Sequence, residues 1–322
     1  MAVIVGVMGA GAMGAGVESP QDEGATPDAS TGVVEDLPAS IEHVEQAART
    51  ISAVEVIGLT LAALAPLSVW ALWRLARSPR RDVSAWPWWC WLVGVFAVLA
   101  AQAVGAGIAM SVASERAATA MIAIGASLAS GAAGLAVMRL LRDESLRHDL
   151  AARRDGMEMV PRWADARGGV IAIALVLPIV QASSMLAALL YRALRGEAPP
   201  SLSHETLQTL HDDAGDPWAW AMVGAAVLGA PLAEEIIFRG LLQSSLLRLI
   251  GRPRVAVAIS AALFSLAHLE GGIRAEQAHA LIPLFVLGLA LGAAYERTAR
   301  LWVPIVMHML FNAFNVTLTL AM

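Results

Sequence analysis

The side chains able to do chemistry gather in the last third of the chain, where they interrupt otherwise apolar stretches. PWAWAMVGAAVLGAPLAEEIIFRGLLQ (217–243) carries Glu234, Glu235 and Arg239; VAVAISAALFSLAHLE (255–270) carries His268; LWVPIVMHMLFNAFN (301–315) carries His308 and Asn312. A buried carboxylate can act as a general base. Helical spacing divides the roles. Glu235 and Arg239 lie four apart on one face and can form an ion pair. Glu234 is rotated about 100° from Glu235 and about 140° from Arg239, so it need not share that counter-ion. Glu234 is therefore the better candidate for a general base. Phe264 and His268 share a helix face, as do His308 and Asn312. Asparagine occurs only at Asn312 and Asn315, both in this last stretch.

The surroundings of these groups are those of a membrane protein. The chain has 322 residues, 57% hydrophobic and 15% charged, with a mean hydropathy of +0.63. Soluble domains sit nearer half apolar and a quarter charged. Against the roughly 20 residues needed to cross a bilayer, apolar stretches fall at about 53–73, 88–112, 118–138, 169–191, 217–238, 255–269, 280–295 and 301–320. These predict an all-α, polytopic helical bundle of about eight transmembrane helices. The fifth helix is expected to continue to about Leu249, ending before Gly251 and Pro253. A charge near the bilayer centre costs about 2.5–3.5 kcal/mol on insertion scales. Several such groups in neighbouring spans are better explained by one shared polar site than separately.

Charge placement agrees with this count. All 22 basic residues are arginine, and net charge is −5. Arg74, Arg77, Arg80 and Arg81 follow the first stretch, and seven arginines lie between 139 and 168. Poor and rich loops alternate along the chain, which fits eight spans with both termini outside. Trp70, Trp73, Trp86, Trp88, Trp89 and Trp91 flank the first arginine-rich loop, where interfacial anchors belong. Glu55, Gln102 and Gln181 read as rim or interhelical hydrogen-bonding residues.

Several other signals lead nowhere. Gly9–Gly14 (GAGAMG) has the dinucleotide-binding spacing, but the acidic, Pro- and Gly-containing ESPQDEGATPDASTG after it cannot supply the helix that motif requires. No basic segment with interleaved aromatics suggests nucleic acid. Cys90 stands alone, so an internal disulfide framework and multi-cysteine metal sites are excluded. His204-Glu205-Thr206-Leu207-Gln208 lacks the second histidine of a zinc-protease helix. The Asn315-Val316-Thr317 sequon lies too close to the bilayer to carry meaning.

Glu-Glu-x-x-x-Arg at 234–239, Phe-x-x-x-His at 264–268 and His-x-x-x-Asn at 308–312, in this order, resemble the signature of the CAAX prenyl protease family, also called the CPBP or abortive-infection family. Ala-Pro-Leu-Ala before the first motif and Ile-Ile-Phe-Arg-Gly within it strengthen the likeness, which covers roughly 217–317. The resemblance implies an intramembrane endopeptidase acting on membrane-associated proteins or peptides. Glu234 and His268 would hold and activate water, His308 and Asn312 would stabilise the oxyanion, and Glu235, Arg239 and Phe264 would support them. Two histidines and a carboxylate also suffice for catalytic zinc with one open position. Zinc on Glu234, His268 and His308 therefore stands beside metal-free chemistry, which the oxyanion-donor pair favours. A non-catalytic scaffold or immunity-type protein on the same fold, and a transporter with a proton relay, are the competing classes. The expected organisation is an apolar and acidic N-terminal segment (1–50), N-terminal helices with an arginine-rich cytoplasmic loop (51–168), and a protease-like transmembrane domain (169–322). The expected location is a bacterial inner membrane.

Overall fold

The computed structural model describes residues 53–75, 86–114, 117–148, 160–196, 215–269 and 278–320. The acidic segment with GAGAMG, most of the first and third arginine-rich loops, the Glu55 side chain and the 204–208 string lie outside these residues.

Among the described residues there are eight successive helices and no strand. They are α1 (Ala53–Leu75), α2 (Trp88–Val112), α3 (Ala118–His148), α4 (Trp163–Arg195), α5 (Pro217–Ile250), α6 (Pro253–Leu266), α7 (Ala278–Thr298) and α8 (Trp302–Leu320). Five of them, α2, α3, α4, α5 and α7, contain segments long and apolar enough to cross a membrane; α1, α6 and α8 supply shorter apolar helices. The chain is a multi-pass helical bundle. Apolar side chains such as Phe96, Val104 and Ile108 on α2, and Leu186, Leu189 and Leu194 on α4, are exposed as a lipid-facing surface requires.

Small residues set how closely the N-terminal helices approach. Gly105 and Ala129, and Gly125 and Ala109, face each other across α2 and α3; a Cβ on Gly125 would fall 2.6 Å from the Gly105 carbonyl oxygen. Where lipid tails replace water, such close backbone packing supplies much of helix association. α1 leans on α4, and α4 also packs against α7 and α8. α4 is anchored at its start by Asp165, whose carboxylate accepts from the Arg162 backbone N–H (2.9 Å) and from Arg300 Nε (2.8 Å) in the turn before α8.

α5 runs through the middle, touching α2, α3, α6, α7 and α8. Asp216 caps it by accepting from the Trp218 N–H (3.0 Å), with Pro217 at the first helical position. At its far end Gly251 takes φ 69°, and Pro253 opens α6, as the Gly and Pro placement predicted. Between these ends α5 is not a uniform α-helix. Residues Ala225–Gly229 and Ile236–Gln243 are π-helical. Proline inside a helix lacks an N–H and crowds the carbonyl four residues back. Pro231 sits just after the first π segment, and the Ala230 N–H there reaches back to the Ala225 carbonyl. The Ala226 carbonyl is thereby left without a partner from its own helix.

Candidate active site

The site forms where α5, α6 and α8 meet, and two irregularities place it there. The first is the carbonyl released by Pro231. Asn312 Nδ2 on α8 donates to the Ala226 oxygen at 2.8 Å, so α8 is keyed to the π segment of α5. The second is the π segment Ile236–Gln243, whose Phe238 carbonyl accepts from Ser260 Oγ of α6 at 2.8 Å. The first bond satisfies the carbonyl that Pro231 leaves free and the second holds α6 to the π segment; π segments are frequent at functional sites.

α6 has 14 residues, so it rises about 21 Å, short of a hydrocarbon core of about 30 Å. The predicted helix face shared by Phe264 and His268 is altered here: α6 ends at Leu266, and His268 sits in the tightened turn that follows, its N–H on the Ser265 carbonyl. The relation between the two residues survives, because His268 Nδ1 lies 2.7 Å from the Phe264 carbonyl oxygen. The carbonyl can only accept, so Nδ1 is the donor in that bond.

Glu234, His268 and His308 come together. Glu234 Oε2 stands 3.6 Å from His268 Nε2 and 3.9 Å from His308 Nε2. His308 Nδ1 is 3.0 Å from Glu235 Oε1, which also receives Arg239 Nη1 at 3.2 Å. Glu235 and Arg239 are fully buried. The two adjacent carboxylates thus have different neighbours. Glu235 is held in an ion pair, and Glu234 faces two imidazole Nε2 atoms. The predicted Glu235–Arg239 pair is present; the contact of His308 with Glu235 is an addition to what spacing suggested.

Phe264 is the hub beneath these groups. Its ring centroid lies 4.5 Å from that of His268, 5.6 Å from that of His308 and 5.3 Å from that of Phe238. The Arg239 guanidinium carbon lies 4.4 Å from the Phe264 centroid, within cation–π range. One buried aromatic therefore fixes both imidazoles and the cation.

Sequence reasoning missed a second polar ladder. Arg239 Nη2 donates to the Gly288 carbonyl (3.2 Å), and Gln243 Nε2 donates to the Gly292 carbonyl (3.2 Å) and to Glu296 Oε1 (2.8 Å). Gly292 lets α7 come this close to α5, since a Cβ there would lie 2.8 Å from Gln243 Oε1; one at Gly288 would lie 3.1 Å from Ala261 Cα of α6. The signal was present: Glu235, Arg239 and Gln243 recur every four residues along α5, opposite two glycines with the same spacing.

Other predicted groups lie apart from the site. Asn315 and Thr317 spend their side chains on carbonyls of α8 (2.9 and 2.8 Å), and the Gln181 amide packs against Gly58 of α1. Among the described residues no group of three or more His, Cys, Asp or Glu is arranged to hold a metal ion.

No curated protein and no solved structure gives a significant match to the chain. Residues 216–314 do match a family model, described as type II CAAX prenyl endopeptidase Rce1-like. That range takes in α5, α6, α7 and most of α8, with every motif that carried the resemblance. Residues 216–314 are thus similar to the type II CAAX prenyl endopeptidases, within a multi-pass helical bundle.

Proposed function

We propose that this protein is a glutamate-type intramembrane endopeptidase that hydrolyses peptide bonds of membrane-associated proteins or peptides, in a bacterial inner membrane. The observation that carries the reading is the convergence of His268 Nε2 and His308 Nε2 on Glu234 Oε2, at 3.6 and 3.9 Å, within the Rce1-like domain.

Each group has a defined part. Water held between Glu234 Oε2 and His268 Nε2 gives its proton to the Glu234 carboxylate as its oxygen attacks the scissile carbonyl carbon. The Phe264 carbonyl fixes the His268 tautomer that leaves Nε2 able to accept. The carbonyl oxygen gains negative charge and is met by His308 Nε2 as a donor, while Nδ1 stays on Glu235 Oε1 at 3.0 Å. Asn312 uses one amide hydrogen on the Ala226 carbonyl and has a second for the oxyanion. As the C–N bond breaks, the protonated Glu234 returns its proton to the leaving amine. Arg239 and Phe264 hold Glu235 and the rings and do not touch the reacting atoms.

The test needs no prior substrate. New protein N-termini are compared between membranes containing wild type and membranes containing Glu234→Ala at matched expression. Termini found only with wild type establish proteolysis and name its substrates. Identical termini, with Glu234→Ala still rescuing a deletion phenotype, would move the assignment to a non-catalytic scaffold.

A further inference from the structure

A cavity of about 200 Å³ opens beside Glu234. Only part of its wall belongs to the Rce1-like domain: α5 supplies one side and Ala267, next to His268, closes an end. The opposite side comes from α2, through Val95, Leu99 and Gln102, and from α3, through Ser127. These helices precede the matched region.

The wall is almost wholly apolar, and apolar cavities stay dry and take up apolar occupants. Gln102 and Ser127 are only 8% and 6% exposed, yet Gln102 Oε1 and Ser127 Oγ have no hydrogen-bond partner among the described residues. Ser130, one turn further on, satisfies its hydroxyl on the Ala126 carbonyl at 2.7 Å. Ser127 does not, and lies against Gly229 at the end of the first π segment, where a Cβ would come 3.0 Å from its Oγ. Glycine at 229 therefore makes room for Ser127.

The size of the space is informative. An apolar cavity of roughly 150 Å³ takes up one benzene molecule. About 200 Å³ accordingly suits one leucine or phenylalanine side chain and is far too small for a farnesyl chain. We propose that this cavity receives an apolar, leucine- or phenylalanine-sized side chain of an unprenylated peptide substrate beside the scissile bond, with Leu99 of α2 as the residue that sets its size. This rests on the endopeptidase reading and names its substrate class.

The pocket is tested apart from catalysis. In full-length protein in liposomes, with Cys90→Ser, the thiol introduced by Ser127→Cys is alkylated with a methanethiosulfonate reagent, with Gln102→Cys as the second reporter. Acetyl-leucine amide and acetyl-phenylalanine amide are expected to slow alkylation at both reporters; acetyl-glycine amide and farnesol are not. Leu99→Phe should remove the protection. Equal protection by farnesol, thiols that never react, or no protection by any amide would overturn the proposal. Cleavage supplies the second arm: on peptides varied from Ala to Trp around the cut, Leu99→Ala should shift preference to larger residues by about ten-fold or more, and Leu99→Phe to smaller ones. A profile unmoved by either substitution, while Glu234→Gln abolishes cleavage, would defeat the pocket and leave the endopeptidase standing. A Glu234→Gln protein that still cleaves would defeat the endopeptidase instead, and the alkylation result would then judge the pocket.

Discussion

α2 and α5 are both long apolar helices of the same bundle, yet they are held by different physics. In α2, 22% of the most apolar window is buried, against 61% in α5. α2 meets α3 through facing glycines and alanines, with its outer face on lipid. α5 carries two carboxylates, an arginine and a glutamine in its interior, and two π segments whose carbonyls accept from Asn312 and Ser260. The difference teaches where cost and function coincide. Burying charge and breaking helical regularity are expensive, and here both fall where α5, α6 and α8 meet. The N-terminal helices contribute close packing and one wall of a cavity.

The comparison makes graded predictions. The largest effect is on chemistry: Glu234→Gln should lower kcat/KM by about 10³–10⁴-fold, the upper range for a general base, with little change in melting temperature. Arg239→Met is next and acts on stability. It leaves Glu235 buried without its guanidinium partner, and loss of one member of a buried pair costs about 3–5 kcal/mol; thermal unfolding in detergent reports it. His308→Ala should cost about 10²–10³ in rate, as removal of an oxyanion donor does, and Asn312→Ala should add a stability loss because the Ala226 carbonyl then stands unpaired. In the other region the pattern inverts. Gly125→Val overpacks the α2–α3 contact and should destabilise by about 1–3 kcal/mol, leaving kcat per folded molecule unchanged. Phe96→Leu, on the lipid face of α2, should change neither quantity measurably. A catalytic defect in Gly125→Val at full folding would blur the distinction between the regions.

Metal chemistry gives a separate check. Protein purified without added metal should keep its activity in chelator. Zinc at one equivalent, lost on His268→Ala, would contradict the glutamate-type reading.

Much of this architecture is legible from the sequence, because a membrane span is a local property of one stretch. Among the described residues the eight apolar runs correspond to eight helices, five of them with segments long and apolar enough to cross a membrane, and Gly251 with Pro253 ends α5 and begins α6. The Glu235–Arg239 pair is equally local, being set by the helical repeat. What spacing leaves out is which helices meet and at what depth. The bond between His308 and Glu235 joins residues 73 apart, and that between Gln243 and Glu296 joins residues 53 apart. Pro231 held a usable clue, since a proline within a span releases a carbonyl that some donor must satisfy. Asn312 is that donor, a structural use that its place in a motif does not reveal. The end of α6 at Leu266 was hidden because Ala267 and His268 continue an apolar, helix-compatible pattern.

The central claim is that two adjacent carboxylates do different work: Glu234 handles the proton, and Glu235 holds Arg239 and His308. Its most direct test measures single-turnover cleavage and thermal unfolding together for Glu234→Gln and Glu235→Gln in liposomes. The account predicts a stable but inactive Glu234→Gln, and a Glu235→Gln that loses stability along with activity. A Glu234→Gln protein that cleaves at the wild-type rate, or a Glu235→Gln protein that is fully stable and inactive, would contradict it.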